Sequence, residues 1–544
     1  MRFLLFLILI SNIAVSQVSK PLTANIPRPK LVVGLVVDQM RWDYLYRYYD
    51  RYAPDGGFRR LLTKGFSCDN TFINYLPSYT ACGHTALFTG SVPAIHGITG
   101  NEWWEVIDKK SMYCVQDDGV TGVGTNAKAG QMSPKNLQVT TIGDELRLAT
   151  NFRGKVIGVA FKDRGAILPA GHAANGAYWY EPASGKFISS SYYINELPKW
   201  VNDFNDKKLP DTYFQRGWNT MYPIGTYHQS TTDEQVYEGK PFGKENKGFP
   251  YDLKRYTGKS YGMLTYTPYG NTLTREMAVA AINAEGLGTD SITDLITISF
   301  STPDYIGHSF GPNSIEAEDN YLRLDKDLGE LFKFLDNKVG KGQYLVFISA
   351  DHAAAHVPGF MAEHHLPGGT VNGSIYKKGI DSVLKEKYGN YNLIIAEENM
   401  QLFYDHRLMD SLKLNRDDVT KTIIDYLSVQ KGIARVVDIS KVMTSTIPEK
   451  MRTLMANGYY PTRCGDVQYV MTPGFFTGGS TGTTHGSMFP YDTHIPLVWY
   501  GWNIKPGRTT RETYMTDVAP TIAALLRIQM PSGTVGAVIS EVVE

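Results

Sequence analysis

The chain has 544 residues, 42% hydrophobic and 20% charged, with 54 basic side chains against 54 acidic ones. That is ample material for a large core, while zero net charge without basic runs argues against nucleic acid or an anionic membrane as the main partner. Any anion binding has to be local.

The first residues, MRFLLFLILISNIAVSQ, place Arg2 before a short apolar run and end in small residues around Ala14 and Ser16. This pattern predicts a secretory signal peptide over residues 1–16 and a periplasmic or secreted product. The run is too short to span a bilayer. Four cysteines, Cys68, Cys82, Cys114 and Cys464, allow two disulfides in an oxidising compartment or four buried thiols, and the sequence does not choose between them. Length alone suggests three or four domains, but the motifs favour one elaborated core over residues 17–544.

Leu31 to Val37 (LVVGLVV) is a continuous β-branched run that predicts a buried parallel strand, ending at Asp38. After helical segments around residues 44–64 comes NYLPSYTACGHTALFTGSVPAIHGITGN, residues 74–101. Here Pro77 stops any preceding helix, and Thr80 opens a short one that Gly90 and Pro93 end. Thr80 at a helix start reads either as an ordinary cap or as an oxygen placed where unpaired amides and the helix dipole favour a phosphate. Val139 to Ala149 has helical spacing, and Lys155 to Phe161 predicts a second buried strand, followed by Lys162, Asp163 and Arg164. If that strand end is extended, residues i and i+2 share a side, so both cations point at one ligand.

From about 165 to 275 the chain is rich in Tyr, Trp, Gly, Asn and Pro, which reads as an insertion or lid. Leu295 to Phe300 predicts the next strand, running into Asp304 and His308, and residues 314–338 form a patterned amphipathic helix. Tyr344 to Ser349 is followed by Asp351 and His352. A second excursion spans about 367–470. The Gly- and Thr-rich loop from Pro473 to His485, a late strand Ile495 to Tyr500 and a final helix Asp517 to Ile528 complete the chain. The alternation predicts an α/β fold with a doubly wound, mainly parallel central sheet flanked by helices, with inserted lid segments.

Asp38, Asp304, His308, Asp351, His352 and His485 thus follow strands or sit in loops at one predicted sheet edge, where α/β proteins bind ligands. Singly, each reads as a turn, a cap or a satisfied core residue. Together, three Asp and three His suffice for two sites for zinc or similar ions. Two metals about 4 Å apart clamp the attacking and leaving oxygens of a displacement at phosphorus. His84, His356, His364 and His365 are set aside as supporting groups.

The run to Asp38, the Thr80 loop ending at Asn101, Pro303-Asp304-x-x-Gly307-His308, Asp351-His352, His485-Gly486 and Asp517-Val518-Ala519-Pro520-Thr521 resemble the alkaline phosphatase superfamily over nearly the whole chain. The likeness is strongest to the phosphate-irrepressible alkaline phosphatases, relatives of the nucleotide pyrophosphatase/phosphodiesterases. The resemblance implies two zinc ions, one held by Asp38, Thr80, Asp351 and His352, the other by Asp304, His308 and His485. It implies Thr80 as nucleophile through a phosphothreonine, and Asn101, Lys162 and Arg164 as phosphate contacts. Small phosphate monoesters are the expected substrates of a monomeric enzyme. Ala81-Cys82-Gly83-His84 stands where the diesterase relatives have Phe-Pro-Asn-His, and sulfatases require a Cys or Ser followed by Pro and Arg. A phosphodiesterase of the same superfamily is the alternative reading, and a non-catalytic exported binding protein a remote one.

Overall fold

The computed structural model describes residues 26–544. The expected signal peptide lies outside the described residues. Among those described, no helix is long and apolar enough to cross a membrane.

The centre is a ten-stranded sheet built from β1 (Leu31–Val37), β2 (Phe66–Cys68), β3 (Gly122–Val123), β4 (Val156–Ala160), β5 (Gly176–Glu181), β6 (Lys186–Ser190), β7 (Asp294–Phe300), β8 (Tyr344–Ser349), β9 (Leu497–Gly501) and β10 (Gly507–Thr509). Its order is β10-β2-β9-β8-β1-β7-β4-β5-β6-β3. The five strands β8-β1-β7-β4-β5 are parallel, whereas β9 runs against β8 and β6 against β5. Every residue of β1, β7 and β8 is buried. That is why they read as unbroken apolar runs rather than as alternating patterns.

Helices α1 (Thr80–Thr89), α2 (Asp163–Ala170) and α6 (Val518–Leu526) pack in one layer, and α3 (Tyr269–Glu285) and α5 (Ile315–Leu335) in another. The helix α4 (Thr302–Phe310) follows directly on β7. Ser314 caps α5, its hydroxyl accepting from the Ala317 amide at 3.1 Å, with Glu316 and Glu318 in the first turn.

One part of the chain differs from the sequence expectation. The start of the stretch from about 165 to 275, expected as a lid, instead supplies α2 and the sheet strands β5 and β6. GAYWYE is an aromatic strand buried on both faces, and its Gly and Tyr content hid that. The excursion from about 367 to 470 carries a four-stranded antiparallel sheet with its own apolar core, including Ile394, Leu402, Ile423 and Val467. All four cysteines are buried free thiols.

Candidate active site

Because β8, β1 and β7 are adjacent and parallel, with Val36 opposite both Ser299 and Ser349, their carboxyl ends emerge side by side. Strand spacing of about 4.8 Å then brings the acids that follow them within one site. Asp38 leaves β1, Asp351 and His352 leave β8, and Asp304 lies in the first turn of α4. His308 stands one turn further along the same helix, its Nε2 3.1 Å from Asp304 Oδ1. His485 arrives from the late Gly-rich loop. Its ring stacks on His352 at 3.4 Å between centroids, and its Nε2 lies 3.7 Å from Asp304 Oδ1.

Thr80 is the first residue of α1, after Tyr79 in extended backbone, and its Oγ1 lies 3.3 Å from His352 Nε2. The helix approaches this closely because residue 83 is glycine: a Cβ there would stand 2.2 Å from the carbonyl oxygen of Asp351. Asn101 Oδ1 accepts from the Ala81 amide at 3.0 Å, so the side chain is pinned by its oxygen and keeps its NH2 as a donor.

Lys162 is buried, with Nζ 2.9 Å from Asp38 Oδ2 and 2.6 Å from Asp304 Oδ2. The chain does not stay extended beyond it: Lys162 is the N-cap of α2 and the backbone turns helical at Asp163. The extended backbone expected at this strand end is therefore replaced by a helix start. The Arg164 guanidinium donates from Nη1 to the Tyr113 hydroxyl at 3.0 Å, and its buried Nε has no partner.

Three histidines share one arrangement. His308 Nδ1 faces the Thr483 carbonyl at 2.8 Å, His352 Nδ1 that of Ala353 at 3.0 Å, and His485 Nδ1 that of Ser78 at 2.8 Å. A carbonyl accepts only, so each Nδ1 carries the proton and each Nε2 of a neutral ring presents a lone pair. Those lone pairs face carboxylate oxygens, at 3.1 to 3.9 Å from Asp304 Oδ1 and, for His352, 3.3 Å from Asp351 Oδ2. Acceptors facing acceptors need a shared proton or a cation between them. A tetrahedral zinc about 2.1 Å from each ligand sets ligand atoms about 3.4 Å apart, which is the scale seen here. Asp351 Oδ2 has no hydrogen bond, and Asp38 Oδ2 has none either, since Lys162 approaches it out of line. The residues present therefore fit metal ions.

The donor atoms fall into two compact groups, Asp304, His352 and His485 in one, and Asp38, His84 and Asp351 in the other. His352 lies between them, close to Asp351 as well as Asp304, whereas the resemblance assigns it with Asp38 and Asp351. Burial and Lys162, opposed by Asp304, push the His352 imidazole down to about 3. For His308, Asp304 outweighs burial and lifts it. Burial raises Asp351, and the neighbouring Asp38 carboxylate adds to that. Burial acts in the same sense on Asp38, but Lys162 and His84 overcome it and hold that carboxyl well below the ordinary range.

Two further residues complete the site. His84, set aside from sequence, is fully buried between Asp38 and Asp351, bonded by Nδ1 to the Thr80 carbonyl at 2.9 Å and by Nε2 to Ser299 Oγ at 2.8 Å. Its place at i+4 from Thr80 was the readable signal. Gln39 donates its backbone amide to Asp351 Oδ1 at 3.0 Å and its side-chain amide to Asp304 Oδ1 at 2.6 Å. Its φ of 62° and the absence of a Cβ at Gly307, where one would meet Gln39 Oε1 at 1.9 Å, make that clamp possible. His356 bonds Asn313, and His364 and His365 are exposed.

The family model described as type I phosphodiesterase / nucleotide pyrophosphatase matches residues 32–502. The chain belongs to that family. It is 49% identical over 523 residues to alkaline phosphatase PhoV of Synechococcus elongatus, covering 96% of this chain and 94% of that protein. The alkaline phosphatase PafA of Elizabethkingia meningoseptica is 49% identical, with 96% of each chain covered. A crystal structure of wild-type alkaline phosphatase PafA superposes with a TM-score of 0.93, covering 95% of this chain and 100% of that one. A protein of Myroides odoratus named calcium-transporting ATPase is 48% identical, again with 96% of each chain covered. The expected superfamily and the α/β fold around a mostly parallel sheet both hold.

Proposed function

We propose that this chain is an exported phosphomonoesterase that holds two zinc ions and passes through a phosphothreonine at Thr80. The observation that carries this reading is Thr80 Oγ1 at the start of a buried helix, 3.3 Å from His352 Nε2 and at the meeting point of the two Asp/His groups. Near-full-length identity to proteins named alkaline phosphatases supports the monoesterase half. The apolar segment before Ala14 supports export.

Asp38, Thr80, Asp351 and His352 would hold one zinc, and Asp304, His308 and His485 the other. Bound zinc supplies Lewis acidity that makes a hydroxyl nucleophilic near neutral pH and neutralises charge developing on a departing oxygen. Thr80 attacks phosphorus in line, the ester oxygen leaves, and water then hydrolyses the phosphothreonine to inorganic phosphate and restored Thr80. His84 and Gln39 hold the acids in place. Asn101, pinned through its oxygen, offers its NH2 to a phosphoryl oxygen, while Lys162 and Arg164 favour a dianion over a monoanion. The family description keeps a diesterase as the second reading, and the cations weigh against it.

Rates on a monoester, a diester and a sulfate ester with the same leaving group, before and after chelation and zinc return, test the proposal. Monoester turnover should dominate, vanish with chelator and return with zinc. Full turnover in metal-free protein refutes the metal assignment.

A further inference from the structure

A cavity of about 100 Å³ opens against His485 and Tyr79, the residue before the nucleophile. Its walls come from segments far apart in sequence, among them Leu76, Met400, Tyr469, Met471, Phe476, Met488 and Tyr491. Two of the phenols on these walls are engaged elsewhere: Tyr469 donates to Glu397 Oε1 at 2.7 Å, and Tyr491 accepts from the Gly474 amide at 3.0 Å. Ring surface and thioether make up most of the wall, together with Thr477, Thr484, Ser487 and Asp492, whose Oδ2 accepts from the Ser487 amide at 2.9 Å while its buried Oδ1 has no hydrogen bond. The Tyr79 ring stands edge-on to the His485 ring at 5.6 Å between centroids, so the cavity begins where the departing oxygen is to be received.

We propose that this cavity is the leaving-group subsite and that it takes a single aromatic ring, an inference that rests on the phosphomonoesterase reading. The argument is one of size and surface. An apolar cavity of about 150 Å³ takes up benzene; this one, at about 100 Å³, is smaller but open on one side, so a single ring seats in it with one edge outward. A two-ring purine is too large for it. Aromatic walls favour an aryl guest in offset or edge contacts, and methionines adapt to its edges. Because His485 belongs both to the cavity and to the group expected to meet the leaving oxygen, a ring one carbon from that oxygen enters without moving the phosphate. Preference should therefore run from benzyl phosphate over methyl phosphate, whose leaving alcohols are of similar acidity, with adenosine 5′-monophosphate gaining nothing from the cavity.

The test is kcat/KM for benzyl and methyl phosphate on the zinc-loaded full chain, parent against Phe476→Ala, which removes a half-buried wall, and Met471→Trp, which fills the space. The parent should favour benzyl about tenfold, and each variant should lower that ratio about fivefold. Equal losses on both substrates, or a parent ratio near one, overturn the subsite. Binding of 2-phenylethylphosphonate and ethylphosphonate, in which CH2 replaces the ester oxygen, repeats the comparison by calorimetry without turnover. If neither ester is hydrolysed, the function reading fails, while a tenfold phosphonate preference lost in Phe476→Ala still upholds the subsite, and its absence still refutes it.

Discussion

Lys162→Ala should destabilise the metal-free protein far more than the zinc-loaded one. The ammonium sits 2.9 Å from Asp38 and 2.6 Å from Asp304, with a side-chain exposure of 2% against 0% and 5% for the two acids. It is among the causes that hold both carboxyls well below the ordinary range against burial, with His84 helping at Asp38 and His308 acting more strongly at Asp304. Its removal leaves two buried carboxylates short of a cation, and breaking a buried pair from one side costs about 3 to 5 kcal/mol. The escape route costs as much. Protonating one carboxyl of ordinary acidity at pH 7 takes about 3 pKa units, or roughly 4 kcal/mol. Zinc placed by Asp38, Asp304 and their neighbours returns positive charge to the same oxygens, so the loss should shrink to less than half. Urea unfolding of parent and variant, in chelator and in zinc, measures both differences. Identical midpoints in chelator, or the same loss in both conditions, would falsify the electrostatic account of Lys162.

Arg164→Ala should leave the fold intact, yet lower kcat/KM on monoesters about ten- to a hundredfold. That follows from one charge-assisted hydrogen bond of about 1.5 to 3 kcal/mol at about 1.4 kcal/mol per decade. A matched diester should lose much less, and equal losses would remove the cation from any role in selectivity. Thr80→Ser should keep substantial turnover and Thr80→Ala lose most of it with zinc still bound. Mass spectrometry of acid-quenched enzyme should find the phosphoryl group on residue 80, and a label elsewhere would displace Thr80 as nucleophile. Burial, reinforced by Glu316, lifts the Glu238 carboxyl, and burial likewise lifts Glu316, so the native pair keeps protons that the unfolded chain has shed. Stability from these groups is complete below the ordinary carboxylate range and is lost as pH climbs through their raised values. Glu316→Gln should flatten the fall in Tm between pH 6 and 9, and an unchanged slope would place the pH dependence elsewhere.

The sequence revealed the parts of this molecule in which local pattern and burial agree. LVVGLVV and YLVFIS are strands because a strand buried on both faces has no polar alternation to show, and Pro77 and Gly90 bound the helix that Thr80 opens. Asp304 and His308 were legible as an acid and a histidine following an apolar strand, and the structure sets them at i and i+4 on one helix face. GAYWYE was not, since aromatic strands with glycine also suit a lid, and only its pairing with β4 decides the matter. The extended backbone expected from Lys162 to Arg164 is absent for a local reason: the strand stops at Ala160, and Lys162 caps the helix that begins at Asp163. Gln39 carried no chemical signal of its own. Its role comes from a left-handed backbone that turns one amide to Asp351 and another to Asp304.

What no local pattern contains is the sharing of donors. Asp38 meets Lys162 and His84 through neighbouring strands and α1, and each of those partners also serves another acid, Asp304 for Lys162 and Asp351 for His84. Removing any one member therefore changes the charge balance at two acids at once, so effects at this centre should be non-additive in the way expected of groups that act as a unit. His352 shows the same sharing between the two candidate metal groups, lying 3.3 Å from Asp351 and 3.9 Å from Asp304. A double-mutant cycle between Lys162→Ala and His84→Gln, read by metal-free stability, should show coupling through Asp38. Simple additivity would mean that the two cations act on separate acids, and the picture of one shared charge network would have to be abandoned.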